Sequence, residues 1–169
     1  YNETAAVSFL RKLKTVANWQ QVLELHNPDT GIRDSEIDIQ LFRMTEARKE
    51  DEMDNDVPVE PVDWKSGPAM FSYFQKDGGS LKPAFQLQLR NTGQRTLWVS
   101  LLYLGSDFSI TNALIPKQAL APGEEIWASD IVDGYPYRTI PLQIDNNNLT
   151  SIEEYLKVLF CTEELNTDI

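Results

Sequence analysis

The sequence predicts a mainly β fold: an antiparallel β-sandwich, or a related barrel, of about eight strands with one N-terminal helix. Three observations carry this. Phe85, Leu87 and Leu89 alternate with Gln86, Gln88 and Arg90, the period of a strand with one buried face. The run Thr96-Leu97-Trp98-Val99-Ser100-Leu101-Leu102-Tyr103-Leu104 is rich in apolar, aromatic and β-branched residues, which favour strands. Loop signals built from Gly, Pro, Asn and Asp recur about every ten residues.

Each element follows in order. Residues 4–16 read as a helix: Thr4 can cap it, Val7, Leu10 and Leu13 line one stripe, and Arg11, Lys12 and Lys14 complement the dipole near its end. Asn18 is expected to break it. Residues 19–26 fit helix or strand; Leu23 and Leu25 alternating with Glu24 and His26 favour strand. Asn27-Pro28-Asp29-Thr30-Gly31 is a turn. Ile37, Ile39 and Leu41 alternate with Asp38 and Gln40 as a second strand.

Residues 43–68 are acidic, carry Pro58, Pro61 and Pro68, and lack periodicity; they predict a long loop, mobile over 46–63, with Trp64 as its anchor. Residues 70–74 predict a short strand, and Asp77-Gly78-Gly79-Ser80 a turn. The strand over 84–90, the loop Asn91-Thr92-Gly93 and the strand over 96–104 predict a central hairpin. Phe108 and Ile110 suggest a short strand. Ile115-Pro116-Lys117 and Ala121-Pro122-Gly123 read as loop punctuation, and residues 125–129 and 140–144 as strands. Residues 152–162 fit either helical spacing or a strand with Tyr155, Lys157, Leu159 and Cys161 on one face; strand is preferred.

The 169 residues are 41% hydrophobic and 24% charged, the composition of a chain that buries a core. A net charge of −11 argues against nucleic acid and anionic membranes as partners. No apolar run approaches the ~20 residues of a membrane span, and the first residues carry no signal-peptide pattern. The chain begins at Tyr1, which suggests a segment of a longer protein or a processed product: residues 1–17 a helix leading in from an upstream domain, residues 18–169 the β domain. One cysteine, Cys161, permits no intrachain disulfide and fits a reducing, cytoplasmic setting.

The chemistry-bearing residues are sparse. His26 and Cys161 are the one imidazole–thiol pair. Cys161 precedes Glu163 and Glu164, which oppose thiolate formation, and reads as a buried strand residue. Asp51-Glu52-Met53-Asp54-Asn55-Asp56 lacks the glycine and terminal glutamate of a calcium loop, and Asp145-Asn146-Asn147-Asn148 reads as a turn. Asn2 and Asn148 head short glycosylation patterns that carry little weight without a secretory signal. No catalytic, metal or cofactor residue is assigned. Trp19, Trp64, Trp98 and Trp127 with Tyr73, Tyr103, Tyr135 and Tyr137 could line a carbohydrate platform, but Trp98 and Trp127 sit in strands, where core packing is the default. Tyr135, Tyr137 and Trp64 are the candidate interaction residues. A hydrolase using surface carboxylates is a further, weaker alternative.

Three segments together carry a resemblance. Asn18-Trp19 with Leu23-Glu24-Leu25-His26-Asn27-Pro28, the strands ending in Leu101-Leu102-Tyr103-Leu104, and Leu114-Ile115-Pro116 with Leu120-Ala121-Pro122-Gly123 occur in this order. The chain resembles the β-rich region that follows the peptidase domain in bacterial, especially cyanobacterial, caspase-like cysteine peptidases. The resemblance implies a non-catalytic interaction or regulatory domain, with the catalytic pair on a peptidase domain outside this sequence. The implied partner is that upstream peptidase domain or another protein. The alternative is a carbohydrate- or ligand-binding β module.

Overall fold

Two antiparallel sheets face each other across one apolar core. The computed structural model describes residues 3–27, 29–46, 55–76, 78–144 and 149–164, with side chains from residue 5 onward. In chain order the elements are α1 (Glu3–Glu24), β1 (Ile37–Met44), β2 (Val59–Pro61), β3 (Phe74–Lys76), β4 (Gly79–Leu81), β5 (Ala84–Asn91), β6 (Leu97–Leu104), β7 (Ile110–Leu120), β8 (Glu125–Trp127), β9 (Asp130–Val132), β10 (Tyr135–Tyr137), β11 (Ile140–Pro141) and β12 (Tyr155–Cys161).

The first sheet runs β11-β5-β1-β2, and β8 shares with β11 the edge of β5 opposite β1. The second runs β12-β6-β7. Neither closes into a barrel. Strand alternation sets the inward faces. Leu87 pairs with Leu41, and Leu89 with Ile39 on one side and Ile126 on the other. Leu97, Val99 and Leu101 of β6 meet them from the second sheet, and Leu156, Val158 and Phe160 of β12 pack against the same core.

The two central strands do not pair with each other, so the expected hairpin is instead an arch from one sheet to the other. Asn91 is the reason. Its side-chain nitrogen donates to the carbonyls of Arg95 and Leu120, each at 2.8 Å, and its carboxamide oxygen accepts from the Gly93 amide at 2.9 Å. Its backbone N–H and C=O bond to Glu124 and Gly123. Fully buried, it spends all its hydrogen-bonding capacity on turning the chain between layers.

Other expectations shift for local reasons. The helix continues through Asn18 to Glu24, and the strand expected over 19–26 is absent, because Trp19, Val22 and Leu23 at helical spacing pack on the second sheet. Pro116 sits within β7, at the place where pairing with β6 slips; an edge strand tolerates a proline there. Phe108 precedes that strand in a turn. The strand expected over 70–74 begins only at Phe74, and those expected over 125–129 and 140–144 stop at Trp127 and Pro141. Gln86, expected outward, is buried and donates to Thr139 Oγ1 at 2.9 Å.

Residues 55–63 are not a free loop. Val57 is buried with Met44 and Ala84, and Val59–Pro61 pairs with β1. The rest of the acidic segment, residues 47–54, lies outside the described residues, as do Asn2, Pro28, Asp77, Asp145-Asn146-Asn147-Asn148 and the side chain of Thr4. The last element is the preferred strand, with Tyr155, Lys157, Leu159 and Cys161 opposite the outer residues Leu104, Leu102, Ser100 and Trp98 of β6.

Candidate interaction surface

Among the described residues, helix α1 is held at its C-terminal end. Trp19 packs with Leu102 and Leu104 on the outer face of the second sheet, and the rings of Phe108 and Tyr155 stand edge-on to it at 5.6 and 5.7 Å. Phe108 reaches this position with φ of 67°, a left-handed conformation that costs a bulky residue free energy and is held by surrounding structure. The turn before it is tight: a Cβ on Gly105 would lie 2.6 Å from Ser109 Oγ and 2.7 Å from Asp107 Oδ1, so those side chains would have to move. At the C-terminus of the helix, Lys157 Nζ donates to the Leu23 carbonyl at 2.7 Å. The last turn of α1 has no basic residue of its own, so β12 supplies the cation that its dipole favours. Partial burial pushes the Lys157 ammonium below the usual lysine range.

N-terminal to Trp19 the helix leaves the body. Residues 5–18 are all exposed, including Val7, Phe9, Leu10, Leu13 and Val16, with Phe9 at 62% and Leu10 at 63%. At 100° per residue, Phe9, Leu10, Leu13 and Val16 share one broad face, which Lys12 and Lys14 flank on either side. A second exposed apolar element is the β9–β10 hairpin. Asp133 and Gly134, with φ of 52° and 82°, form the two-residue turn that matches strand twist. Ile131 is 60% and Tyr135 68% exposed, and Asp130 and Asp133 border them. The Asp133-Gly134 pair is the local signal for this hairpin.

The candidate residues are not brought to one site. Tyr135 is at the exposed hairpin and Tyr137 is half-buried on the same element. Trp64 lies along the edge of β1, where its indole N–H donates to the Ile39 carbonyl at 3.4 Å and Lys65 stands over its ring. Trp127 faces outward from the first sheet but already stacks on Phe42 at 5.9 Å and carries the Arg138 guanidinium at 5.2 Å. Its contacts are taken by protein groups, which leaves Tyr135 as the open aromatic of this region and weakens a sugar platform.

His26 is exposed and bonds through Nδ1 to the Glu24 carbonyl at 3.0 Å. Cys161 is half-buried at the far end of β12, opposite Trp98. Among the described residues no three His, Cys, Asp or Glu side chains converge as metal ligands. The depressions described are shallow: one is lined by Arg90, Asn91, Thr92, Gly93, Pro122 and Gly123 at the arch, another by Arg43, Glu60, Met70, Phe71 and Phe74. No helix among the described residues is long and apolar enough to cross a membrane.

Comparison with known protein families, with curated proteins and with solved structures found no match. The resemblance to caspase-like peptidases therefore rests on the sequence motifs alone.

Proposed function

We propose that this chain is a non-catalytic interaction domain that presents α1 to a protein partner. The exposed apolar face of α1 carries the reading. Phe9, Leu10, Leu13 and Val16 on a helix anchored only through Trp19, Val22, Leu23 and Lys157 form a surface of the kind that proteins bury on binding. Most helical stability in proteins comes from packing of an amphipathic face, so a partner that covers this face also completes the stability of α1. The sequence motifs make the peptidase domain of a bacterial caspase-like cysteine endopeptidase the partner of first choice, with this chain holding its specificity or activation state.

The test is peptide cleavage by the full reading frame that carries this chain. A His…Cys peptidase domain in the same polypeptide, whose activity or regulation changes on deletion of residues 1–169 and on Leu10→Asp with Leu13→Asp, supports the proposal. Unchanged cleavage in both variants defeats it, as does cleavage by the isolated chain that disappears in Cys161→Ala.

A further inference from the structure

We propose that the apolar face of α1 docks on the β9–β10 hairpin of a second copy of this chain. The inference rests on the reading of α1 as a binding element and names the occupant of its face when no peptidase domain covers it. Two exposed apolar surfaces stand open within one chain, Phe9, Leu10 and Leu13 on the helix and Ile131, Val132 and Tyr135 on the hairpin. Their borders carry opposite charge: Lys12 and Lys14 beside the helix face, Asp130 and Asp133 beside the hairpin. Each surface thus meets in the other both an apolar centre and a complementary rim.

Charge also selects against the simpler pairing of two helices. The acids of α1 stand only at its two ends, Glu3 and Glu24, while Arg11, Lys12 and Lys14 lie near its middle, so two antiparallel copies paired along this face would set lysines against lysines. An anionic membrane would suit the helix alone, but the rest of this chain carries a large excess of acid, which such a surface repels. In a two-fold pair each helix lies on the other copy's hairpin, and the contact forms twice. This doubling brings a small contact toward the roughly 1,200 Å² typical of specific interfaces.

The experiment is the mass of the full chain by sedimentation equilibrium, from low to high micromolar concentration. The expected result is a reversible dimer. Leu10→Asp on the helix and Ile131→Asp on the hairpin should each raise its Kd by about 30-fold or more. The two substitutions lie on separate elements, so a helix that unravels in one variant cannot explain both. Lys12→Glu with Lys14→Glu should weaken the dimer, and adding Asp130→Lys with Asp133→Lys should restore it. A chain that stays monomeric, a dimer indifferent to either apolar variant, or charge reversals that never rescue each other would overturn the proposal. Binding of a monomeric chain to phosphatidylserine vesicles, lost in Lys12→Glu with Lys14→Glu, would likewise overturn it. A monomer leaves the peptidase-partner reading standing, because that reading is decided separately by cleavage in the full reading frame.

Discussion

The side-chain nitrogen of Asn91, at the end of one sheet, donates to the carbonyl of Leu120, at the end of the other, across 2.8 Å in a site closed to solvent. This bond and its companion to Arg95 determine that β5 and β6 enter different layers. Nearby, Ala128 N–H donates to Leu87 of the first sheet and Ser129 N–H to Leu114 of the second, so the layers are also stitched along a strand edge.

Asn91→Ala should therefore cost about 2–4 kcal/mol, since it strands the buried Leu120 carbonyl and opens a cavity. Exposed Gln94→Ala, three residues on, should stay within about 0.5 kcal/mol. Urea unfolding of both variants measures the contrast; equal midpoints would mean that the arch does not depend on this side chain.

In the core, Leu89→Ala should cost about 2–5 kcal/mol. Gln86→Ala should cost about 1–3 kcal/mol, because it removes a buried hydrogen bond to Thr139 Oγ1 and the packing of its own buried side chain. Gln88→Ala, on the same face but less buried, should cost under about 0.5 kcal/mol. The ranking Leu89, Gln86, Gln88 in urea midpoints checks the strand register.

The anchor of α1 is open to the same kind of test. Trp19→Ala should cost about 3–5 kcal/mol of local docking energy, and Lys157→Met should remove the cation at the helix C-terminus. Amide exchange over residues 20–24 should quicken in both variants. Unchanged exchange there would show that α1 is held by something other than Trp19 and Lys157.

Acid should weaken the fold in part through Glu36. The Arg33 guanidinium that bonds its carboxylate, opposed by burial and helped by the Arg33 amide and the charge of Arg95, holds its pKa below the ordinary glutamate range. A pKa lowered in the folded state means that the unfolded chain takes up the proton first as pH falls. The contribution is complete above the ordinary range and is lost as pH drops through the lowered folded value. Glu36→Gln should be less stable than the parent near neutrality and show a flatter acid limb in urea midpoints against pH. An acid limb of unchanged slope would exclude Glu36 as a source.

The sequence by itself determined the class of fold and the apolar inward residues of its central strands, and it left the last element between helix and strand. Strict alternation in β1 and β5 gathers their apolar residues on one face only as strands, and that constraint is local. It also marked Tyr135 as a candidate interaction residue and the N-terminal helix as amphipathic. Only the tertiary structure decided which strands pair. Asn91-Thr92-Gly93 suits a hairpin and an arch equally well; the acceptor that ties it to the other sheet, Leu120, lies 29 positions away. The length of α1 was hidden for the same reason, since Trp19, Val22 and Leu23 are helical because Leu102, Leu104 and Lys157 receive them. Pro116 read as punctuation because nothing in its neighbourhood tells an edge strand, where a missing N–H costs little, from an interior one. The unpartnered face of α1 is of this kind too. Amphipathic spacing promises burial, and the folded chain shows that its own body does not supply it.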